Sequence, residues 1–115
     1  MQTIKNERVI YVDVDETLVH HHATGWDRIE VICPLSYDRI SLEPNRNMIR
    51  LVKEEKARGA FIIVHSAGGY AWAEAVITAV GLTSCIGLIL SKPTAYFDDK
   101  EASEWMGRRV YISAD

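Results

Sequence analysis

The fold turns on Val9-Ile10-Tyr11-Val12-Asp13-Val14-Asp15-Glu16-Thr17, a β-branched and aromatic run that gives way abruptly to acids. An uninterrupted apolar run of this length suits a strand buried on both faces, as in a parallel sheet. The same pattern recurs downstream. Ala60 to His65 (AFIIVH) ends at Ser66-Ala67-Gly68-Gly69, and Gly87 to Leu90 ends at Ser91-Lys92-Pro93. Ala95-Tyr96-Phe97 leads into Asp98-Asp99, and Val110-Tyr111-Ile112 is the last such run.

Helical periodicity fills the intervals. Pro44 to Arg58 sets Met48, Leu51 and Val52 on one side and Glu54 to Lys56 on the other, with Gly59 where a C-terminal cap belongs. Tyr70 to Val80 spaces Trp72, Ala75, Val76, Ala79 and Val80 as a helix would, and Gly81 follows. The Trp72 stripe reads as core. Ala102 to Met106 suits one short helix. Such alternation predicts an α/β domain of Rossmann-like, doubly wound type with a mostly parallel sheet. One segment breaks the rhythm: Arg28 to Ile32 and Tyr37 to Leu42 flank Cys33-Pro34-Leu35-Ser36, which predicts a β-hairpin flap inserted after the first strand.

Size and charge narrow the functions. A chain of 115 residues, 48% hydrophobic, fits a single domain over 1–115. The formal charge of −3 argues against general nucleic-acid binding, which usually needs a basic face. Met1 to Arg8 is polar, and no apolar run reaches the roughly 18 residues of a membrane span, so a cytoplasmic protein without membrane partners is expected. Cys33 and Cys85 have no metal-type spacing and read as reduced thiols. His20-His21-His22 reads as a solvated loop near the mouth of the site.

In open parallel sheets, ligands bind beyond the carboxyl ends of the strands. Here those ends carry Asp13, Asp15 and Thr17, then Ser66, then Lys92, then Asp98 and Asp99. Any one of them is unremarkable as a turn or surface residue. Together they make a coherent chemistry. Clustered carboxylates need a cation, and hard oxygen donors suit Mg²⁺ beside a substrate phosphate. A hydroxyl and an ammonium group opposite the metal would hold the other phosphoryl oxygens. One carboxylate can attack phosphorus, while a second protonates the leaving group and later activates water.

The four motifs resemble those of the haloacid dehalogenase superfamily in its DxDxT phosphatase form. Val9 to Val19 is similar to the first motif and Phe61 to Ser66 to the second. Lys92, followed by Pro93, is similar to the third, and Asp98-Asp99 to the acidic fourth. The resemblance implies that Asp13 is the nucleophile and a Mg²⁺ ligand. It implies that Asp15 is the general acid/base, its backbone carbonyl also on the metal, and that Thr17 supports the Asp15 loop. Ser66, with Ala67 after it, would bind the phosphoryl group together with Thr17 and Lys92, and Lys92 would orient Asp13. Asp99 would contact the metal and Asp98 would hold Lys92 or a metal-bound water, two roles that could be exchanged.

Neither gap between motifs holds a cap domain, so the resemblance implies an open site for a phosphorylated small molecule or macromolecule. The chain stops soon after its last apolar run, which leaves one sheet face thinly covered and makes a homo-oligomer an expectation. Two rival classes stand beside the phosphatase: a receiver-like phosphoacceptor, and a non-catalytic phosphate-binding protein.

Overall fold

A computed structural model describes residues 8–22 and 25–114. The reading of residues 1–7 as a polar segment, and residues 23–24 of the histidine loop, lie outside the described residues. Three parallel strands form the main sheet: β1 (Val9–Asp13), β5 (Phe61–Ser66) and β6 (Leu88–Ser91), in the order β1-β5-β6. Between β1 and β5 lie β2 (Val19–His20), β3 (Ile29–Ile32), β4 (Arg39–Pro44) and α1 (Arg46–Ala57). Helix α2 (Tyr70–Ala79) joins β5 to β6.

The predicted hairpin is present: β3 and β4 pair antiparallel, Ile29 opposite Leu42 and Ile32 opposite Arg39. Its turn closes through Tyr37 N–H to Cys33 O (2.8 Å) and Cys33 N–H to Asp38 O (2.9 Å), with Tyr37 in the left-handed region at φ 63°. Strand β2 pairs with the other edge of β4, giving a second sheet ordered β2-β4-β3. Cys33 and Cys85 are free thiols. Among the described residues no helix is long and apolar enough to cross a membrane.

Side chains alternate across a strand, so register assigns the faces. Ile10, Val12, Ile62, Val64 and Ser66 share one face; all but Ile10 are fully buried. Val12, Ile62 and Val64 join Met48, Ile49 and Val52 of α1 and Trp72, Ala73, Val76 and Ile77 of α2 in a single core. Both helices therefore cover the same face. Val31 and Leu42 of the hairpin extend that core. The opposite face carries Val9, Tyr11, Phe61, Ile63, His65, Leu88 and Leu90, of which Val9, Tyr11 and Leu88 are each nearly half exposed. The observed architecture is an α/β arrangement with one helical layer on a three-stranded parallel sheet; the second helical layer of the expected doubly wound fold is not formed among the described residues.

Two expected strands are not formed. Ala95 to Phe97 is irregular, and its aromatic ring is engaged locally. Tyr96 packs edge-on against Trp105 (6.4 Å), and its hydroxyl accepts a hydrogen bond from Ala102 N–H (3.1 Å). Val110 to Ile112 is irregular because side chains claim the nearby carbonyls. Asn45 Nδ2 donates to Ile112 O (2.8 Å), and Asn47 Nδ2 donates to Ser113 O (3.0 Å). The short helix expected from Ala102 is a single 3₁₀ turn, Ala102–Glu104. As a result β1 pairs only with β5 among the described residues and forms an edge of the sheet.

Helix α1 begins at Asn45, which is fully buried. Its Oδ1 accepts from Met48 N–H (3.1 Å), satisfying one of the free donors of the first turn. Its Nδ2 donates both to Thr17 O (3.1 Å) and to Ile112 O, and its own N–H donates to Leu18 O (2.8 Å). The helix closes before Gly59, whose φ of 94° suits glycine. Asn45→Ala should lose about 3 kcal/mol, from roughly 1 kcal/mol of capping and the two part-buried carbonyls left without this donor. The melting temperature should fall by about 10 °C. Asn45→Asp, which sets a carboxylate against two carbonyl oxygens, should lose at least as much, and an unchanged transition in both variants would refute this role.

Candidate functional site

The carboxyl ends of the three parallel strands place two rows of side chains, one on each face. On the open face, Asp13 lies opposite His65 in the β1–β5 register. Lys92, just past β6, continues the alternation and reaches across β5, its Nζ 3.1 Å from Asp13 Oδ1. Thr17 Oγ1 donates to the other oxygen, Asp13 Oδ2, at 3.1 Å. Both carboxylate oxygens are thereby oriented, while the Asp13 side chain keeps 31% of its exposure. The hydroxyl of Thr17 holds Asp13 directly, a more immediate task than support of the Asp15 loop.

That loop is a tight reversal. Val14 O accepts from the N–H groups of Thr17 (3.2 Å), Leu18 (2.9 Å) and Val19 (3.3 Å). Glu16 takes the left-handed conformation (φ 62°) at its apex, and its carboxylate is anchored by His20 Nδ1 (3.0 Å) and His21 N–H (3.1 Å). The bond to His20, then the one from the His21 backbone, holds the Glu16 carboxyl below its usual value.

Asp15 faces the helix-covered side. Its Oδ1 accepts from Trp72 Nε1–H (3.1 Å) and lies 2.7 Å from His21 Nε2, and its Oδ2 accepts from Ser66 Oγ (3.4 Å). Ser66 differs from the expectation of a phosphoryl ligand. Alternation along β5 turns it to the buried face, where it has no exposure and its hydroxyl also accepts from Gly68 N–H (3.0 Å). Its place is beneath Asp15. Ala67 opens the exposed turn between β5 and α2.

Asp98 and Asp99 stand apart from this group. Both are exposed, and Asp98 Oδ1 accepts from Lys100 N–H (3.0 Å), the main cause of its lowered pKa. Neither lines the cleft of about 940 Å³ that holds Asp13, Asp15, Glu16, Thr17, His65 and Lys92. The physical reason is the unformed strand at Ala95 to Phe97. Among the described residues no three His, Cys, Asp or Glu side chains converge as a metal site. For Mg²⁺, which takes one or two carboxylates beside substrate phosphate and water, the partly exposed Asp13 carboxylate fits in kind, while the Asp15 carboxyl is already engaged by Trp72, His21 and Ser66.

The sequence reading missed His65 and mistook Trp72 for core alone. His65 carried little signal in the sequence, because its place opposite Asp13 depends on the β1–β5 register. Trp72 did carry a signal, because a buried indole N–H usually needs an acceptor. No protein-family model, curated protein or solved structure matches this chain. The likeness to the haloacid dehalogenase superfamily therefore remains one of four short motifs.

Burial, and then the charge of Lys92, pushes the His65 imidazole below its ordinary value, against the smaller opposing pull of Asp13. The unfolded chain therefore binds a proton that the fold resists. The stability that neutral His65 allows is complete above about pH 6.5 and declines as pH falls below that value. His65→Gln should lose less melting temperature between pH 7 and pH 5 than the parent chain, and parallel pH profiles would contradict this.

Proposed function

We propose that this chain is a phosphomonoester hydrolase of the haloacid dehalogenase type, with Asp13 as covalent nucleophile, an open capless site and Mg²⁺ as cofactor. One observation carries the reading: Asp13 sits at the strand end with one oxygen on Lys92 and the other on Thr17, while Asp15 is held by a separate set of donors. Two carboxylates two residues apart are thus given different surroundings, which is how one site keeps a nucleophile and a proton donor distinct.

The steps follow from these positions. An oxygen of Asp13 attacks phosphorus and forms an acyl phosphate as the bond to the leaving oxygen breaks. Asp15 supplies that oxygen with its proton. Asp15 then takes a proton from water, whose oxygen attacks phosphorus, expels the Asp13 carboxylate and releases inorganic phosphate. Lys92 balances the negative charge beside Asp13 throughout. Mg²⁺, held by the Asp13 carboxylate and the Asp15 backbone carbonyl, would neutralise charge on the phosphoryl oxygens. The exposed turn at Ala67 would border the phosphoryl group, and the β3–β4 hairpin would act as a flap beside it.

A second reading is favoured by the separation of Asp98 and Asp99 from Asp13: the chain accepts a phosphoryl group on Asp13 and retains it, as a receiver-like module does. Turnover separates the two. With p-nitrophenyl phosphate, hydrolysis should require Mg²⁺, stop with EDTA, and fall on the order of 10³-fold or more in folded Asp13→Asn. Stoichiometric labelling without turnover would favour the second reading, and hydrolysis indifferent to Asp13 would overturn both.

A further inference from the structure

Asp15 is fixed more elaborately than a turn residue needs to be. Trp72, on the first turns of α2, is almost fully buried, yet its indole N–H is spent on Asp15 Oδ1 at 3.1 Å. His21, on the far side of the reversal, brings Nε2 to the same oxygen at 2.7 Å. The two rings lie stacked, with centroids 6.3 Å apart and planes 28° from parallel. Together they close on one oxygen from two elements separated by 51 residues of chain, the span from His21 to Trp72.

The turn before α2 allows this placement. A Cβ built on Gly68 would come within 3.1 Å of Trp72 Cδ1 and 3.4 Å of Ser66 Oγ. Glycine there lets the indole lie low enough for its N–H to reach the carboxylate. Packing alone accounts for the burial of Trp72, since Ala73, Val76 and Ile77 share its core. It does not account for the direction of the N–H, nor for the imidazole stacked on the ring from an exposed loop.

We propose that Trp72 and His21 are positioning residues for Asp15. They hold its Oδ1 from two sides, so that the carboxyl keeps a single orientation toward the leaving-group oxygen of a phosphomonoester on Asp13. This inference rests on the phosphatase reading above. A carboxyl fixed in this way serves the proton transfer to the leaving group. It matters little when the leaving group departs readily as an anion.

The test compares two substrates in the full chain with Mg²⁺: p-nitrophenyl phosphate, whose leaving group needs little protonation, and a simple alkyl phosphate, whose alkoxide does. Trp72→Phe keeps the ring and removes the N–H donor; His21→Ala removes the second contact from an exposed loop and spares the core. In single-turnover measurements each should lower the rate at which the alkyl phosphate phosphorylates Asp13 by about tenfold or more, with the rate of phosphorylation by p-nitrophenyl phosphate changed by less than about twofold. His21→Gln, which retains an N–H at similar reach, should restore most of the loss. Equal loss on both substrates in His21→Ala, or no loss on either, would overturn the proposal while leaving Asp13-dependent hydrolysis by the parent chain intact. Absence of that parental hydrolysis would instead remove the phosphatase reading itself and this inference with it.

Discussion

The buried side-chain amide of Asn45 joins the parts of the chain on which the site depends. One amide caps α1, holds the carbonyl of Thr17 and holds the carbonyl of Ile112, with no exposure to water. Thr17 in turn directs its hydroxyl to Asp13. The loop that presents the acids is thus anchored to the helix that follows the hairpin, and the C-terminal segment is drawn in by the same group. In a low-dielectric interior such a fully satisfied polar group specifies one arrangement, because every alternative leaves a donor or acceptor unpaired. The cost to the sheet is visible too. With Ile112 O and Ser113 O claimed by side-chain amides, this segment makes no strand ladder, and β1 remains an edge.

The division of labour between the two acids is a consequence of sheet geometry. Asp13 belongs to the same face as Tyr11, His65 and Leu90, the side that no helix covers among the described residues. Ser66 belongs to the opposite face, under α2, and with Trp72 it engages Asp15. A one-residue change of register would exchange these roles, since side chains alternate with period two. The β1–β5 pairing, Val9 opposite Phe61 through Asp13 opposite His65, therefore sets the electrostatics of the site as well as the packing of the core.

Much of this arrangement is legible in the amino-acid sequence alone. The β-branched runs of β1, β5 and β6, the two helices and the hairpin follow from periodicity and turn residues; the Asp13–Lys92 pair is what the motif resemblance implies. What failed to be legible has a physical pattern. Ala95 to Phe97 and Val110 to Ile112 have strand composition, but a strand needs a partner's backbone, and here local aromatic packing and two asparagine side chains compete for the same groups. Composition does not reveal such competition. The placement of Asp98 and Asp99 was inferred from one of those strands and differs for that reason. The face assignment of Ser66 depends on the register of β5 against β1, which an uninterrupted apolar run does not reveal, whereas the need of a buried indole for an acceptor pointed to Trp72.

The central claim is that Asp13 forms a bond to phosphorus. Its most direct test is to quench the protein in acid during exposure to a phosphomonoester, reduce with borohydride, and map the peptides by mass spectrometry. The account predicts that Asp13, and no other aspartate, is converted to homoserine, the product of reducing an acyl phosphate. Homoserine at a different position, or hydrolysis proceeding with Asp13 unmodified under every quench time, would contradict it.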